Sequence, residues 1–391
     1  MKRSLLNLIA GLCLLATPAL AGDDVKIGLV TTLSGPAGVI GKHMKDAGDL
    51  ALELLNGTIG GKPASIVYGD DQFRPDVGRQ VAEEMLKRDR VDFMTGFIWS
   101  NVLLAAYQPI IKSGTILIGA NAGPHELAGE MCAPNYFSAS WQNDETPESM
   151  GAYMASQNLE DVYLIAPDYA AGKDMVAGFK RFFKGKVAAE VYTKPGQSDY
   201  QVEISQIRAA NPKALFIFLP GGMGIQFVKQ YAQSGLRGQI PLYSAFTVDE
   251  TTLPAIGDAA AGNYEVSFWS PDLDNAPNKA FVTAFRAKYH YMPSYYAAQT
   301  FDAINMIDDA VKAVHGNLAD KKAMIARLAQ ADFPSVRGHF SYNTNHFPIE
   351  NFYLLKIVQD AEGQYVRKIQ STIFTDHKDA YYTECHMKPF E

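Results

Sequence analysis

The 391-residue chain has few cysteines, a modest share of charged residues and, after its first segment, no long apolar run. Only 3 residues are cysteine, 20% are charged, and the mean hydropathy is −0.10, which argues against a polytopic membrane protein. The formal net charge of −7 provides no electrostatic reason to bind nucleic acid or an anionic membrane. What remains is a soluble globular chain, 47% hydrophobic, whose length predicts two domains at about 100–200 residues each.

Motifs of the common enzyme classes are also absent from the sequence. There is no Gly-x-Ser-x-Gly elbow and no His-Glu-x-x-His pair, and the 8 histidines are scattered. The loop at 35–42 is close to a phosphate-binding loop, but Pro36 stands where the leading glycine is required and His43 replaces the hydroxyl residue. We therefore expect no catalytic residue, no metal and no cofactor. A secreted α/β enzyme is the alternative from another class, and a sensor ectodomain is disfavoured because no second membrane segment is found.

Residues 1–21 have the three parts of a secretory signal peptide. Lys2 and Arg3 precede an apolar run at 5–15, and small residues lead to Ala21. The run is shorter than the about 20 residues that a membrane helix needs, so an uncleaved anchor is the weaker alternative. We expect cleavage after Ala21 and a mature protein outside the cytoplasm.

Two cysteines remain in the mature chain, Cys132 and Cys385. An even number of cysteines in an oxidising compartment favours a disulfide. The bridge would tie the C-terminus to a loop in the middle of the chain, and two independent thiols are the alternative.

Short strands alternate with amphipathic helices over about 25–118 and again over about 145–244, where the first helix is expected near 145–156. Such alternation predicts a parallel, doubly wound sheet in each of two α/β lobes. A helical stretch over 278–331 and a late hairpin around Gly363 follow. The chain is therefore expected to cross between the lobes more than once.

No Gly/Ser-rich or Pro-rich tether separates the two series. The lobes are therefore expected to be joined by a hinge of several short strands rather than by a flexible linker. We expect lobe one to comprise residues 22–141 plus 272–340, and lobe two 142–271 plus 341–391.

Loops at the carboxyl ends of the predicted strands are the expected ligand site, because open α/β sheets bind ligands there. Ser100 and Asn101 stand where a helix N-terminus can bind an anion, although both residue types also serve as plain helix caps. Trp99, Tyr169 and Phe246 lie in such loops and either pack against the core or face a ligand. Because three aromatic residues surround one crevice, we favour contact with a ligand over packing against the core.

The segment 24–41, Asp-Val-Lys-Ile-Gly-Leu-Val-Thr-Thr-Leu-Ser-Gly-Pro-Ala-Gly-Val-Ile-Gly, resembles the opening of the Leu/Ile/Val-type periplasmic binding proteins of ABC importers. The resemblance continues in order through Asp70-Asp71, 97–101, 121–124, 168–172, Tyr296-Ala297 and 301–303. It implies the type I periplasmic-binding fold and a periplasmic, monomeric protein. It also implies that two lobes close on a ligand without covalent chemistry and deliver it to an ABC permease in the inner membrane.

The resemblance also implies roles for individual residues. Members that bind amino acids hold the ligand carboxylate with residues that correspond here to Ser100 and Asn101 and to the loop of Ala120, Asn121 and Ala122. A lobe-two tyrosine of those members corresponds to Tyr169.

Phe246 occupies the position at which those members carry an acidic residue that binds the ligand's ammonium group. An ammonium without a counter-charge in a closed cleft is costly. The Phe-x-Trp-Ser-Asn loop and Ser-Trp-Gln-Asn-Asp at 140–144 are instead similar to the branch that binds aromatic acids. We therefore expect a small carboxylate of the benzoate or coumarate type. The alternative is a branched-chain amino acid or amide that uses Asp249. The expected ligand-binding residues are Ser34, Ile40, His43, Trp99, Ser100, Asn101, Ala120, Asn121, Ala122, Trp141, Tyr169, Pro220, Gly221 and Phe246.

Overall fold

The computed structural model describes residues 24–390, so the predicted signal peptide and its cleavage site lie outside the described residues. Two sheets, each flanked by helices, form two lobes. The helices are α1 (Gly38–Leu54), α2 (Pro75–Glu84), α3 (Ser100–Lys112), α4 (His125–Ala128), α5 (Glu145–Ser156), α6 (Ala170–Phe182), α7 (Gln201–Ala210), α8 (Gly222–Gln233), α9 (Leu253–Ile256), α10 (Ala276–Tyr289), α11 (Tyr295–Ala313) and α12 (Lys321–Leu328).

The first lobe is built on a six-stranded sheet in the order β2-β3-β1-β4-β5-β6. Its pairs are parallel, except that β2 runs antiparallel to β3. β4 and β5 are buried at every position, which is typical of a parallel sheet that helices cover on both faces. The strands are β1 (Val25–Thr31), β2 (Thr58–Ile59), β3 (Lys62–Asp70), β4 (Phe93–Gly96), β5 (Ile116–Gly119) and β6 (Tyr136–Ser138).

The second lobe is built on an eight-stranded sheet in the order β12-β13-β11-β10-β9-β7-β8, with β14 paired to β13. The run from β8 to β11 is parallel, and β13 runs antiparallel to β11 and to β14. The strands are β7 (Val162–Pro167), β8 (Val187–Thr193), β9 (Ala214–Ile217), β10 (Leu242–Ala245), β11 (Tyr264–Ser267), β12 (Ser341–Tyr342), β13 (Pro348–Gln359) and β14 (Tyr365–His377).

The predicted alternation of strands and helices is confirmed, with four short strands added. The predicted helical stretch over 278–331 forms α10, α11 and α12, and the late hairpin around Gly363 forms β13 and β14. β2, β6, β11 and β12 were not predicted, because two to four residues are too few to establish a period of two. The residue bounds of the two lobes stay a prediction.

The buried guanidinium of Arg337, between α12 and β12, joins the segments that cross between the lobes. It donates to the carbonyl oxygens of Ala139 (2.7 Å) and Ser140 (2.9 Å) in the connection from β6 to α5. It also donates to Glu350 on β13 (2.9 Å) and lies 5.4 Å from the ring of Phe268, in the connection from β11 to α10. The crossing segments therefore share one multiply bonded cation.

The predicted disulfide between Cys132 and Cys385 is present and closes a sequence separation of 253 residues. It attaches the C-terminal segment to the loop between α4 and β6 of the first lobe. The same segment contacts the start of α5, where the Tyr381 hydroxyl donates to Asp144 (2.8 Å). Among the helices at 24–390, none combines the length and the apolar character that are needed to cross a membrane.

Replacing Cys132 and Cys385 by serine is expected to lower the free energy of unfolding by about 2–5 kcal/mol, because the unfolded chain loses the constraint of a long closed loop. Urea denaturation of the mature protein and of the double variant measures the difference. Thiol titration of the unfolded, unreduced protein is the control. Two free thiols per chain would contradict the bridge.

Candidate ligand-binding site between the lobes

A cavity lies between the lobes, at the carboxyl ends of strands from both sheets. Loops after β4 and β5 and the start of α11 line it from the first lobe, and loops after β7, β9 and β10 with the start of α6 line it from the second. The segment that crosses from β6 to α5 forms a further wall. The lining residues are Ile98, Trp99, Ser100, Asn121, Ala122, Trp141, Asn143, Tyr169, Ala171, Met175, Phe218, Pro220, Phe246 and Tyr296.

The walls of the cavity are mainly aromatic. Trp141 stacks on Phe246 with ring centroids 4.4 Å apart, and Phe218 meets Phe246 edge to face at 6.1 Å. On the other side Trp99 and Tyr169 approach edge to face across the two lobes, at 6.0 Å. Flat rings on several sides form a slot that suits a planar apolar ligand.

Two of the loops begin at a phenylalanine whose backbone lies in the left-handed region. Phe97 follows β4 with φ 63° and Phe246 follows β10 with φ 52°, a conformation that is uncommon for bulky residues and is found at functional sites. Glu265 stabilises the second turn, because its carboxylate accepts the N–H of Thr247 (3.2 Å) and the hydroxyl of Ser244. The strained turn therefore holds the Phe246 ring against the cavity.

The N-terminus of α3 presents free hydrogen-bond donors at the cavity. The N–H groups of Val102 and Leu103 donate to the carbonyl of Trp99, whereas those of Ser100 and Asn101 have no acceptor within the described part of the chain. The Ser100 Oγ accepts from the Asn143 side chain (3.0 Å), so its own hydrogen is available to donate. Helix N-termini with such groups bind anions.

Trp141 contributes a further donor. Its indole Nε1 is buried and, among the residues at 24–390, has no hydrogen-bond partner. An unpaired buried N–H costs about 1–3 kcal/mol, and this one belongs to a residue that lines the cavity. A ligand with an acceptor atom would remove that cost.

No acidic or basic side chain is among the residues that line the cavity. Asp249, the alternative partner for an ammonium group, is fully buried behind the wall. Its Oδ2 accepts the hydroxyl of Tyr295 (2.5 Å) and its Oδ1 accepts the N–H of Thr251 (2.7 Å). Asp249 therefore serves the packing of α11 on the second lobe rather than the ligand cavity.

Eight of the fourteen predicted residues line the cavity: Trp99, Ser100, Asn121, Ala122, Trp141, Tyr169, Pro220 and Phe246. Two more, Ile40 and Gly221, are outside the lining but lie close together, since a Cβ on Gly221 would be 3.2 Å from Ile40 Cδ1. The first and second lobes therefore touch at these two residues.

The other four predicted residues lie outside the lining. Ser34 is exposed, and His43 packs against the Tyr291 ring (4.6 Å) in a site whose burial lowers the pKa of the imidazole to about 3. Asn101 follows Ser100 on α3, and its Oδ1 is buried without a hydrogen-bond partner among residues 24–390. The Ala120 N–H donates to Gly96 (3.1 Å) and so is already engaged, like that of Ala122, which donates to Phe97. Contact of these four residues with a ligand stays a prediction.

The sequence prediction missed six lining residues. Four of them, Ile98, Asn143, Ala171 and Tyr296, fall within segments that carried the family resemblance, and that signal could have identified them. Met175 on α6 has the spacing of an ordinary core residue, so the sequence contains no signal for it. The remaining residue is Phe218.

Comparison with known families agrees with this arrangement. The model of the family described as periplasmic binding protein matches residues 24–363. The chain belongs to the periplasmic binding protein family. The resemblance that the sequence predicted is thereby confirmed, and so is the type I fold with two parallel-sheet lobes.

Relatives of known structure share nearly the whole fold of this periplasmic binding protein. A solute-binding protein of an ABC transporter from R. palustris, solved in complex with benzoate, is 31% identical, with a TM-score of 0.88 over 93% of this chain and 99% of that one. A solute-binding protein from Rhodopseudomonas palustris BisB5, in complex with 3,4-dihydroxybenzoic acid, is 27% identical, with a TM-score of 0.86 over 92% and 99%. The Leu/Ile/Val-binding protein homolog 6 of Brucella melitensis is 25% identical over 94% of this chain and 96% of that one.

The stability of the turn at Phe246 is expected to depend on pH through Glu265. Burial raises the pKa of this carboxyl to about 8, so the folded protein binds the proton more tightly than the unfolded chain does. Its contribution to stability is complete below about pH 4.5 and is lost as the pH rises through about 8. The Glu265→Gln variant should therefore gain stability relative to the wild type between about pH 5 and about pH 8.

Urea denaturation at both pH values measures that difference in the free energy of unfolding. Glu160→Gln, at an exposed position in the same lobe, is the matched control. A difference for Glu265→Gln that does not change with pH would contradict the buried, proton-binding carboxyl.

Proposed function

We propose that this protein is the extracytoplasmic substrate-binding component of an ABC importer and captures an aromatic monocarboxylate of the benzoate type between its lobes. One observation carries the proposal: an aromatic-walled cavity without a charged lining side chain ends at the donors of the α3 N-terminus. Such a site suits one negative charge on a flat apolar body.

The donors at α3 support an anionic ligand. The N–H groups of Ser100 and Asn101 and the Ser100 hydroxyl are free to donate to a carboxylate. Hydrogen bonds to a charged group contribute about 1.5–3 kcal/mol each, and the helix dipole adds about 0.3–2 kcal/mol. Together they replace the water that a carboxylate loses when the lobes close.

The walls support an aromatic body. Stacked or edge-on contact with rings such as Trp141 and Phe246 adds about 0.5–1.5 kcal/mol beyond the burial of apolar area. The solved relatives that hold benzoate and dihydroxybenzoate support a single-ring acid.

A branched-chain amino acid is the second candidate, which the Brucella homologue favours by its name. Its ammonium group would enter a cavity in which Phe246 replaces an acid and Asp249 is already bonded to Tyr295. Burying a cation without a partner is costly. The aromatic acid is therefore the better ligand.

The finer features of the assignment are part of the same proposal. The mature protein acts as a monomer in the periplasm after cleavage at Ala21, catalyses no reaction and delivers its ligand to an ABC permease of the inner membrane. The lobes extend over 22–141 plus 272–340 and over 142–271 plus 341–391. The family membership supports the periplasmic location and the delivery to a permease; the monomeric state, the cleavage site and the lobe bounds stay predictions.

Calorimetric titration of the mature protein is expected to show binding of benzoate and none of leucine. The Ser100→Ala variant should bind benzoate about 1–3 kcal/mol more weakly, because the hydroxyl donor is lost. Ser205→Ala, which removes an exposed hydroxyl from α7, is the matched control. Tight leucine binding without benzoate binding would refute the proposed ligand.

Trp141→Phe tests the unpaired indole. The variant keeps a ring against Phe246 but loses the Nε1–H, so benzoate affinity should fall by about 1–3 kcal/mol if this donor meets the ligand. Trp269→Phe is the matched control, because the Trp269 Nε1 donates to Asn278 (2.9 Å) away from the cavity. Equal affinities of Trp141→Phe and wild type would remove the indole from the set of ligand donors.

A further inference from the structure

Asp174 on α6 of the second lobe accepts hydrogen bonds from the opposite side of the cleft. The Nδ1 of His125, on α4 after β5, lies 2.8 Å from its Oδ1, and the His125 backbone N–H donates to its Oδ2 (3.4 Å). The Asn143 Nδ2 donates to the same Oδ2 (2.8 Å). Asp174 is 5% exposed and Asn143 is 1% exposed, so most of this cluster is shielded from water.

Asn143 lies on the crossing segment, just beyond the expected end of the first lobe at 141, but its hydrogen bonds attach it to the first lobe. Its backbone N–H donates to Gly123 (2.8 Å), and its Oδ1 accepts the Gly123 N–H (3.2 Å). These two bonds fix the amide, so that its Nδ2 points to both Asp174 and Ser100. When the lobes separate, the bonds to Asp174 are the ones that must break.

We propose that Asp174 is the latch of the closed clamp and that Asn143 couples this latch to the ligand's carboxylate through Ser100. The coupling rests on the proposed function, because it assigns the ligand carboxylate to Ser100. Asp174 and Asn143 are positioning residues: they fix lobe and donor geometry, and Ser100 contacts the ligand.

The coupling follows from the direction of the hydrogen bonds. Since the Ser100 Oγ accepts from Asn143 (3.0 Å), the Ser100 hydroxyl hydrogen is directed to another acceptor. Asn143 can hold that position only while its second Nδ2 hydrogen is satisfied, and Asp174 supplies the acceptor in the closed form. Closure therefore orients the donor, and a bound carboxylate in turn stabilises closure.

The latch also responds to pH. The hydrogen bond to Asp174 raises the pKa of His125 to about 9. The other groups that face this imidazole are Glu126 on its own helix (3.6 Å), Asp144 on the crossing segment and the Tyr381 ring of the C-terminal segment (5.2 Å). Asp144 itself pairs with Arg181 (2.8 Å), so Asp174 is the main partner.

The sign of the pH effect is therefore defined. In the open clamp His125 is free of Asp174 and titrates near its ordinary value, about 6.5. Protonated His125, paired with Asp174, therefore stabilises the closed form fully below that pH. This stabilisation is lost as the pH rises through about 9. Because His125 is 43% exposed, the effect on affinity should be modest, about three- to tenfold between about pH 6 and about pH 9.5.

Stopped-flow fluorescence of the cavity tryptophans measures association and dissociation of benzoate, with leucine as a separate arm. Asp174→Asn should dissociate the ligand about tenfold faster or more, since bonds to a charged group are lost. Its association rate should stay within about twofold of wild type, because the ligand enters the open form. Asp258→Asn, which removes an exposed carboxylate from the same lobe, is the matched control and should change neither rate.

If Asp174→Asn caused a general structural defect, the thermal stability of the ligand-free protein would fall. Loss of the latch alone should leave that stability unchanged. His125→Ala is the second variant if Asp174→Asn does not fold, and it should abolish the decline in affinity with rising pH. Unchanged dissociation rates in Asp174→Asn or His125→Ala, or an unchanged pH profile in His125→Ala, would overturn the latch.

Measuring both benzoate and leucine distinguishes a failure of the latch from a failure of the proposed function. If wild type binds leucine and not benzoate, the aromatic ligand is wrong, and the rates with leucine still decide the latch. If it binds neither, and the pKa of His125 measured by NMR remains near about 6.5, both proposals fail.

Discussion

The proposed function depends on one constraint: the ligand anion must be stabilised in a cavity whose lining includes no charged side chain. Only oriented donors can do this, and the N-terminus of α3 with the Ser100 hydroxyl provides them. Parallel sheets place the strand ends of both lobes on the same cleft, so each lobe contributes loops to one site. Closure then removes water, and the fixed donors act in a medium of low dielectric constant.

Acidic side chains lie behind the residues that line the cavity, each with its own hydrogen-bond partners. Asp174 is bonded to Asn143, Asp249 to Tyr295, and Glu265 to the turn after β10. These groups therefore orient donors, aromatic rings and strained turns without presenting charge to the ligand. Arg337 does the same for the crossing segments, where it ties three connections together.

Much of the fold could be predicted from the sequence, because long periodic segments such as α5 at Glu145–Ser156 show their pattern locally. β11 could not, since it has four residues and a buried Glu265 in place of an apolar one. In the site, most loop residues next to strand ends were predicted, whereas Ile98, Phe218, Met175 and the link from Asn143 to Asp174 were not. Such contacts depend on how the two lobes pack against each other, which the local sequence pattern does not indicate.

A crystal structure of the mature protein with benzoate tests the central claim most directly. The account predicts the ring between Trp141, Phe246 and their aromatic neighbours, with a carboxylate oxygen within about 3 Å of the Ser100 N–H and hydroxyl. A carboxylate bound elsewhere, or benzoate absent from a cavity that instead holds an amino acid against an acidic side chain, would contradict it.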